Sequence, residues 1–547
     1  MHRRHNVRLD RFWIGEYKNL KDVTVDFDED HWVTVVIGWN GTGKSNVLEA
    51  LATLFRDLVM EERAPSFPYK LRYRIHDSWV NIDADPVREK DKYIIHIADA
   101  SDAEKEPVKP ESGKEQEWTF EGNKISFPQF LKKQDAYLPR YVFGYYSGTS
   151  DRMQDVFKKY LARYDKELRA GKDPGLRRLF YALPVHSQFV LLAFILQKDE
   201  AVSDLLNTHL GIEEERSLDS VLFVLKQPPW DRTKNQEVFW GAKGVVRDFL
   251  DKLHAVSLAP IRITRQVEVS LWNKKRLGFR YLYVKDLKAL QELVGQETPR
   301  EFFRDIESAY VSELIDEVRI RVKLRNNDGS VTFRELSEGE QQLLTVLGLL
   351  KFTSEEESLF LLDEPDTHLN PSWCVKYLKF LQQFVGNDEK ERESSHVILT
   401  THNPLAIAEL VKGQVQILQR NPENLSISVE PPQGDPRGMG FAGILTSDMF
   451  GLESALDDHT VSLIKERNAL LYKELKDHIT EEENVRLKEI YQQLGEMRFN
   501  DVFDDPIFSE YAMMLEEEKK RRGTPILPQH EKAHILSKVI DELEGSA

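Results

Sequence analysis

Cysteine and long apolar runs are almost absent from this sequence of 547 residues. Cys374 is the single cysteine, which excludes an intrachain disulfide and a cysteine-rich zinc site and is typical of a reducing cytoplasm. The longest wholly apolar run, residues 189–196, is too short to span a bilayer. Residues 1–6 are basic, but no apolar segment follows them, so no secretory signal is expected. These absences predict a cytoplasmic protein without a membrane segment.

An excess of positive charge is also missing. The net charge of −17 argues against a protein that coats nucleic acid with its whole surface. Residues 260–290 differ, because eight basic side chains there stand against two acidic ones, with Trp272, Phe279, Tyr281 and Tyr283 interleaved. This pattern suits a strand ribbon that lies on a phosphate backbone and offers stacking contacts. A solvated β-face with half-buried aromatics is the other interpretation.

The most specific motif present lies between residues 38 and 45. Gly38-Trp39-Asn40-Gly41-Thr42-Gly43-Lys44-Ser45 fills the P-loop pattern G-x-x-x-x-G-K-[ST] at each fixed position. An apolar β-branched run precedes it and a helical pattern follows it, which is the setting that the motif requires. Backbone N–H groups in such a loop converge on phosphates, and the helix dipole adds to the attraction. The motif predicts that ATP binds here with Mg²⁺, held by Asn40, Gly41, Thr42, Gly43, Lys44, Ser45 and Asn46.

A second motif ends a buried-strand pattern at residues 358–362, where Asp363 and Glu364 follow at once, as in a Walker B motif. Asp363 and the Ser45 hydroxyl are expected to hold Mg²⁺, and Glu364 is expected to polarise the water that attacks the γ-phosphate. Two carboxylates are needed because metal coordination and water activation are separate tasks. A charged end on an ordinary core strand is the alternative interpretation.

Three further motifs follow in the order found in ABC-type ATPases. Leu336-Ser337-Glu338-Gly339-Glu340-Gln341-Gln342 resembles the ABC signature LSGGQ and begins an apolar helix, as a simple N-cap box would also do. In ABC ATPases this helix start closes over a γ-phosphate held by a partner head, so Ser337, Gly339 and Glu340 are expected to act in trans. Asp366 begins a segment that resembles the D-loop. His402 follows a β-run and resembles the H-switch histidine that contacts the γ-phosphate.

The Q-loop of ABC-type heads has no assigned counterpart. A glutamine normally follows a strand between the P-loop and the signature, but here the strand pattern at 141–146 runs into Ser147. Gln129, Gln134 and Gln154 are nearby without suitable placement. The Q-loop residue is therefore left open.

The opening strands and the motif tails resemble one branch of these ATPases. Short strand patterns at 7–12 and 20–27 precede the P-loop, and Lys44 begins the Gly-Lys-Ser-Asn-x-Leu-Glu-Ala-Leu form of the RecF and SMC branch. The segment 363–371 resembles the DEPExHLHP of overcoming-lysogenization-defect ATPases. With the stretch at 138–148, the layout is most similar to restriction-associated and PtuA-type ATPases of Septu and retron antiphage systems.

This resemblance implies an α/β fold: a P-loop NTPase with an ABC-type head, an inserted α+β lid without a long coiled coil, and a helical C-terminal region. The lid is expected to be compact because sustained a/d heptads are missing between the P-loop and the signature. The expected domains are the N-terminal part of the head at 1–150, the lid at 151–309, the C-terminal part of the head at 310–410 and a mostly helical partner-docking region at 411–547.

The C-terminal third contains two patterns that favour other enzymes. Some relatives carry a Toprim nuclease after the head, but the carboxylates at 501–505 have the wrong spacing for its metal site, so the chain is not expected to be a nuclease itself. His530-Glu531-Lys532-Ala533-His534 fits the zinc-protease pattern H-E-x-x-H. The residues after His534 offer no third ligand at the usual distance, which argues against that enzyme.

The sequence thus predicts an ATPase that forms a homodimer or higher oligomer through its heads. The resemblance implies an HNH nuclease partner like PtuB, a role in antiphage defence, and in retron systems a reverse transcriptase with its nucleic acid. A RecF-like repair ATPase that clamps duplex DNA is the alternative, and a zinc protease is a third hypothesis.

Overall fold

The computed structural model describes residues 7–496 except 29, 100–121, 198, 213–217, 234–236, 271–272, 326–329, 354–355, 386–393 and 476–477. Beyond 496 it describes Met514, Glu518, Arg521 and Ile535. The polar loop at 102–116, Trp272, the carboxylates at 501–505 and the H-E-x-x-H pattern at 530–534 lie outside the described residues. The chain forms two compact units, of which the first runs to Ile444 and includes Asp448–Phe450.

The described strands, in chain order, are β1 Val7–Tyr17, β2 Leu20–Asp26, β3 Val33–Gly38, β4 Tyr69–Ile75, β5 Ser78–Ala84, β6 Tyr93–Asp99, β7 Asn123–Ile125, β8 Tyr141–Tyr146, β9 Leu179–Tyr181, β10 Leu218–Lys226, β11 Ile261–Ser270, β12 Asn273–Val284, β13 Ile315–Lys323, β14 Ser330–Thr332, β15 Ser358–Asp363, β16 Ser395–Thr400, β17 Val415–Arg420 and β18 Ile427–Glu430.

The described helices are α1 Lys44–Val59, α2 Phe127–Leu131, α3 Gln134–Tyr137, α4 Arg152–Arg169, α5 His186–Ile195, α6 Glu200–Asp204, α7 Gly244–Val256, α8 Leu287–Val294, α9 Pro299–Val311, α10 Glu338–Thr353 and α11 Pro371–Val385, followed by Pro404–Ile407, Gly440–Thr446, Asp458–Leu475 and Glu481–Glu496. A π-helical turn lies at Leu205–His209, and 3₁₀ turns lie at Val238–Gly241, Phe333–Glu335 and Lys412–Gln414.

A seven-stranded sheet forms the centre of the first unit, in the order β18-β17-β3-β16-β15-β8-β9. All neighbouring pairs are parallel except β17–β18. Strands β15 and β16 are buried along their whole length because helices cover both faces of the sheet, which explains their unbroken apolar runs. The carboxyl ends of β3, β15, β16 and β8 meet at one edge. The predicted α/β P-loop fold is confirmed.

Two cores lie on the two faces of this sheet. On one face α1 packs beneath the six-stranded sheet β2-β1-β4-β5-β6-β7. On the other face α10 lies with α5, α9 and α11, and it is buried on nearly every side, which accounts for its apolar sequence. Gly348 permits this contact, since a Cβ there would lie 2.3 Å from Val190 Cγ1.

A five-stranded antiparallel sheet, β11-β12-β10-β13-β14, forms much of the insertion between the P-loop and the signature. The predicted boundaries do not coincide with the sheets at three places. Strand β9, beyond residue 150, joins the central sheet; β13, beyond 309, lies in the inserted sheet; and β17 and β18, beyond 410, complete the central sheet. The sequence of a strand carries no local signal for the sheet that it joins, because tertiary pairing decides it.

The second unit contains a pair of helices, Asp458–Leu475 and Glu481–Glu496, within the region predicted to be mostly helical. Leu463, Leu470, Leu487, Ile490 and Leu494 form its own small core. Among the described helices, none is both long and apolar enough to cross a membrane.

His396, on β16, is a wholly buried histidine that joins β1 to the central sheet. The backbone N–H of Leu9 donates to its Nδ1 at 3.0 Å, and its Nε2 lies 3.2 Å from Thr34 Oγ1. Burial and the neighbouring Arg8 hold the pKa of His396 well below its ordinary value. The unfolded chain therefore takes up the proton first, at about pH 6.5, so stability is lost as pH falls through that value.

We expect the unfolding temperature of the protein to decrease between about pH 7.5 and about pH 5.5, and the decrease to be smaller in His396→Asn. The variant should be less stable at the higher pH, because its packing and hydrogen bonds are impaired. Scanning calorimetry at several pH values measures both effects. Replacement of the exposed His459 by Asn is the control; an unchanged pH dependence in His396→Asn would contradict the assignment.

Candidate functional site

The P-loop joins the end of β3 to the start of α1. Gly38, Gly41 and Gly43 have φ values of 148°, 82° and 102°, in the region that favours glycine. A Cβ on Gly38 would lie 2.4 Å from the carbonyl oxygen of Leu418, so the loop also needs glycine for space. The free N–H groups at the start of α1 face into this loop, as an anion site requires.

Lys44 is buried within its own loop, with 6% of the residue exposed. Its Nζ donates to the carbonyl oxygen of Gly38 at 2.9 Å and reaches that of Trp39 at 3.4 Å. Burial lowers the pKa of Lys44, while Glu364 and Asp363 oppose that shift. The ammonium group is therefore held where a bound phosphate could replace the carbonyl contacts.

Asn19, in the turn between β1 and β2, is a residue that the motifs did not reveal. Its Nδ2 donates to the carbonyl oxygen of Gly41 at 3.0 Å, and its Oδ1 accepts from Asn46 Nδ2 at 2.6 Å. Asn19 thus braces the loop from outside. Its position after a strand-like run gave no separate signal, because any turn favours asparagine.

Asp363, at the end of β15, accepts two hydroxyl hydrogen bonds on one carboxylate oxygen. Ser45 Oγ donates to Oδ1 at 3.0 Å, and Thr400 Oγ1, from the end of β16, donates to it at 2.5 Å. Only 2% of Asp363 is exposed, and burial raises its pKa although both hydroxyls lower it. The three groups come from three different elements and meet at the same edge of the sheet.

This donor set fits Mg²⁺. A hard cation takes oxygen ligands, keeps several waters and needs only one or two carboxylates besides the phosphates of its nucleotide. Ser45 and Asp363 offer a hydroxyl and a carboxylate within hydrogen-bond distance of each other. Among the described residues there is no cluster of three or more His, Cys, Asp or Glu that could hold a metal by itself, as expected where substrate phosphates complete the site.

Glu364 turns out of the strand with a φ of 51°, which is unusual for a residue with a side chain. Its backbone N–H donates to Thr400 Oγ1 at 3.1 Å, and its Oε1 lies 2.6 Å from His402 Nε2. The hydrogen bond to His402 lowers the pKa of Glu364, so the carboxylate is ionised at neutral pH. The structure thus brings Lys44, Asp363, Glu364 and His402 together at the carboxyl edge of the central sheet.

Asp366, the predicted D-loop residue, points inward. It is 4% exposed, and its Oδ2 accepts from Thr401 Oγ1 at 2.8 Å. Burial raises its pKa. Within this chain Asp366 holds the loop after β15 against the end of β16.

The signature residues begin α10 and bond locally. The backbone N–H of Ser337 donates to Glu340 Oε2 at 2.6 Å, and the N–H of Glu340 donates to Ser337 Oγ at 3.3 Å, a reciprocal capping box. A Cβ on Gly339 would lie 2.5 Å from the carbonyl oxygen of His368, so the signature abuts the D-loop. Ser337 itself is exposed. The described side-chain hydrogen bonds of Ser337 and Glu340 stay within this capping box and do not reach the P-loop of the same chain.

Tyr146 and Ser147, at the end of β8, lie beside the end of β15. Tyr146 lies in register with Asp363, and the Ser147 N–H donates to the Asp363 carbonyl at 3.2 Å. Ser147 Oγ also donates to Thr367 Oγ1 at 3.2 Å. Burial, with Asp363 and Glu364, raises the pKa of Tyr146. The sequence could not reveal this pair, because its signal is the pairing of β8 with β15.

Comparison with known proteins agrees with this geometry. Residues 8–152 match the family model "AAA ATPase domain", and residues 257–408 match "AAA domain, putative AbiEii toxin, Type IV TA system". Together with the strand order and the P-loop, these matches show ATPase domains that are similar to those of ABC-type heads.

Two curated relatives narrow the resemblance. The chain is 21% identical over 496 residues to "Retron Vc95 probable ATPase" of Vibrio cholerae serotype O1 biovar El Tor, covering 86% of this chain and 85% of that protein. It is 27% identical over 165 residues to "Septu protein PtuA" of Bacillus mycoides (strain KBAB4), covering 28% of this chain and only 22% of PtuA. The predicted likeness to PtuA-type and retron ATPases is confirmed.

Among solved structures, an SMC head bound to the C-terminal winged-helix domain of ScpA aligns with 77% of this chain and 97% of its own chain. The identity is 12% and the TM-score 0.31. At that score the fold assignment depends on the strand order described above.

We expect Thr400→Val to reduce the rate of ATP hydrolysis about 10- to 100-fold, because Asp363 loses the donor that orients it. Thr400→Ser keeps the hydroxyl and should retain most of the activity. Steady-state phosphate release measures the rates, and binding of a fluorescent ATP analogue shows whether the P-loop is intact. Equal rates in the two variants would contradict the role of this hydrogen bond.

Proposed function

We propose that this chain is the ATPase subunit of an antiphage defence system, and that two copies close around two ATP–Mg²⁺ to control an associated HNH nuclease. The main observation behind the proposal is that the predicted site residues lie in two separate groups. Lys44, Glu364 and His402 converge at one point, whereas Ser337 lies exposed at the start of α10 without a hydrogen bond to that point. A second copy could bring its own Ser337 to the missing side.

The proposed roles follow from the contacts. The P-loop N–H groups and Lys44 bind the β- and γ-phosphates, while Ser45 and Asp363 would hold Mg²⁺, which neutralises charge on the transferred phosphoryl group. Glu364, ionised at neutral pH, orients the attacking water. His402 donates to Glu364 and would contact the γ-phosphate of a bound nucleotide.

Two exposed groups would face the partner head. Trp39, within the P-loop, is 64% exposed, and Ser337 with the N-terminus of α10 is exposed as well. Ser337, Gly339 and Glu340 of one copy would cover the γ-phosphate held by the other copy, using N–H groups at a helix start. Asp366, from the adjacent D-loop, would lie near the same interface.

Control of the nuclease follows from a population shift. ATP bound between two heads stabilises the closed dimer over the open one, and hydrolysis removes that preference. The names of the PtuA and retron relatives support the defence role. In a retron-like setting, a reverse transcriptase with its nucleic acid would be a further partner, and the helical pair Asp458–Leu475 and Glu481–Glu496 is the proposed docking region.

We expect Glu364→Gln to bind ATP without hydrolysing it and to accumulate as a dimer, because water activation is lost while the phosphate contacts remain. Light scattering after size exclusion, with ATP–Mg²⁺ and with ADP–Mg²⁺, measures the shift. The double variant Glu364→Gln with Lys44→Ala is the control and should not shift. An ATP-loaded Glu364→Gln that stays monomeric would overturn the proposal.

Mixing two inactive variants tests the composite site. Lys44→Ala removes the lysine of the P-loop, and Ser337→Arg blocks the signature residues at the start of α10. In an equal mixture, half of the dimers would contain one site built only from intact halves, so up to about a quarter of the wild-type ATPase rate should return. A mixture that is no more active than the separate variants would have one of two meanings: each chain hydrolyses ATP alone, or both sites of a dimer must act together. Either meaning contradicts the proposal of independent composite sites.

A further inference from the structure

The inserted five-stranded sheet has a covered face and an open face. The covered face packs against α7, α8 and α9 and includes Val221, Phe223 and Leu282 of the main core. Strand β13 shows the alternation clearly, because Val318 and Ile320 are buried while Arg319 and Arg321 are exposed. On this open face Tyr283 of β12 and Arg319 and Arg321 of β13 reach solvent, while Ser220 and Val224 of β10 and Phe279 of β12 are buried.

The strand register aligns aromatic and basic side chains on this open face. Leu222 of β10 pairs with Tyr283 on one side and with Arg319 on the other, so the three form one row across the sheet. The next row contains Tyr281, which pairs with Val224. Tyr283 is 37% exposed, and the side chain of Arg319 is 57% exposed.

Positive charge is concentrated on this face of an acidic protein. Among the residues that the structure describes, seven basic side chains and three acidic ones stand around it, an excess of four on a chain whose net charge is −17. The basic residues are Lys226, Arg265, Lys275, Arg319, Arg321, Lys323 and Arg334, and the acidic residues are Asp219, Asp316 and Glu317.

The acidic side chains on this face form hydrogen bonds and ion pairs with arginines, but they are too few to cancel the positive charge of the face. Glu317 accepts from Arg319 at 2.8 Å and from Arg334 at 2.5 Å. The hydrogen bond with Arg319 lowers the pKa of Glu317, so this carboxylate stays charged. Arg265 lies over the ring of Phe279, with its guanidinium carbon 3.9 Å from the ring centre.

The hairpin β11–β12 contributes only part of its positive charge to this face. Arg280 turns to the covered side, where it is 4% exposed, donates to the Glu237 carbonyl at 3.1 Å and lies over Trp240. The pairing of Arg262 with Arg280, and of Arg276 with Gln266, places Arg262 and Arg276 on that same side. The basic surface is therefore formed by one face of the sheet and not by the basic segment 260–290 as a whole.

We propose that the open face of the five-stranded sheet binds single-stranded nucleic acid, with Tyr281 and Tyr283 stacking on bases and Arg319 and Arg321 contacting phosphates. The two tyrosines lie two residues apart on one strand, about 7 Å from each other, so successive bases can reach them. Unpaired bases are required, because the bases of a duplex are stacked on one another. This site is separate from the ATP site and does not depend on the function proposed above.

The test measures binding of a fluorescein-labelled oligothymidine of about 20 nucleotides by anisotropy, from about 50 to about 200 mM salt. Arg319→Ala with Arg321→Ala should weaken binding about tenfold or more and reduce the slope of log K against log salt by about two. Tyr283→Ala should weaken binding about five- to a hundredfold, because a base loses its stacking partner.

Arg262→Ala with Arg276→Ala is the matched control, since it removes the same charge from the opposite side of the same five-stranded sheet. It should alter binding by no more than about twofold. ATP hydrolysis should be unchanged in all these variants, which separates this proposal from that for the ATPase. Any of four results would overturn the proposal of nucleic-acid binding. These are an equal loss of affinity in both double variants, an unchanged affinity in Tyr283→Ala, binding of duplex as tight as that of single strand, and no binding at low salt.

Discussion

The carboxylate of Asp363 is the point on which the site depends. It receives hydroxyl hydrogen bonds from Ser45, at the start of α1, and from Thr400, at the end of β16, and so ties the P-loop to the Walker B strand and to the strand before His402. A parallel sheet makes this possible, because its strands end at the same edge. The burial of Asp363 gives these bonds their strength, since few waters compete for the oxygen.

At the same edge of the sheet, two neighbouring acidic residues have opposite pKa shifts. Asp363 is buried and its pKa is raised, whereas Glu364, one residue further, has its pKa lowered by His402. The unusual backbone of Glu364 turns the second carboxylate away from the first. Two adjacent acidic residues thus have different surroundings, as metal binding and water activation require.

Packing explains why the first turn of α10 keeps its place beside the D-loop. Helix α10 is held by its apolar contacts with α5 and α11, and its N-terminus abuts the D-loop through Gly339. A helix buried along its length cannot move its first turn to its own P-loop without breaking the core. Packing also fixes the orientation of the inserted sheet. Its apolar face packs against α7–α9, and these helices leave its basic, aromatic face uncovered.

The sequence alone predicted the residues of the nucleotide site, because the P-loop, Walker B and H-switch patterns lie within short segments whose spacing along the chain carries their meaning. It also determined the α/β class and the helical character of the C-terminal region. The sequence did not reveal the roles of Asn19, Thr400 and the Tyr146–Ser147 pair, because each of them contacts residues that are distant in the chain.

Tertiary structure alone decided which sheet the short strands β9, β13, β17 and β18 join, and therefore where the head ends. It also decided which basic residues of 260–290 face solvent, because strand register, and not composition, sends Arg280 inward while aligning Tyr283 with Arg319.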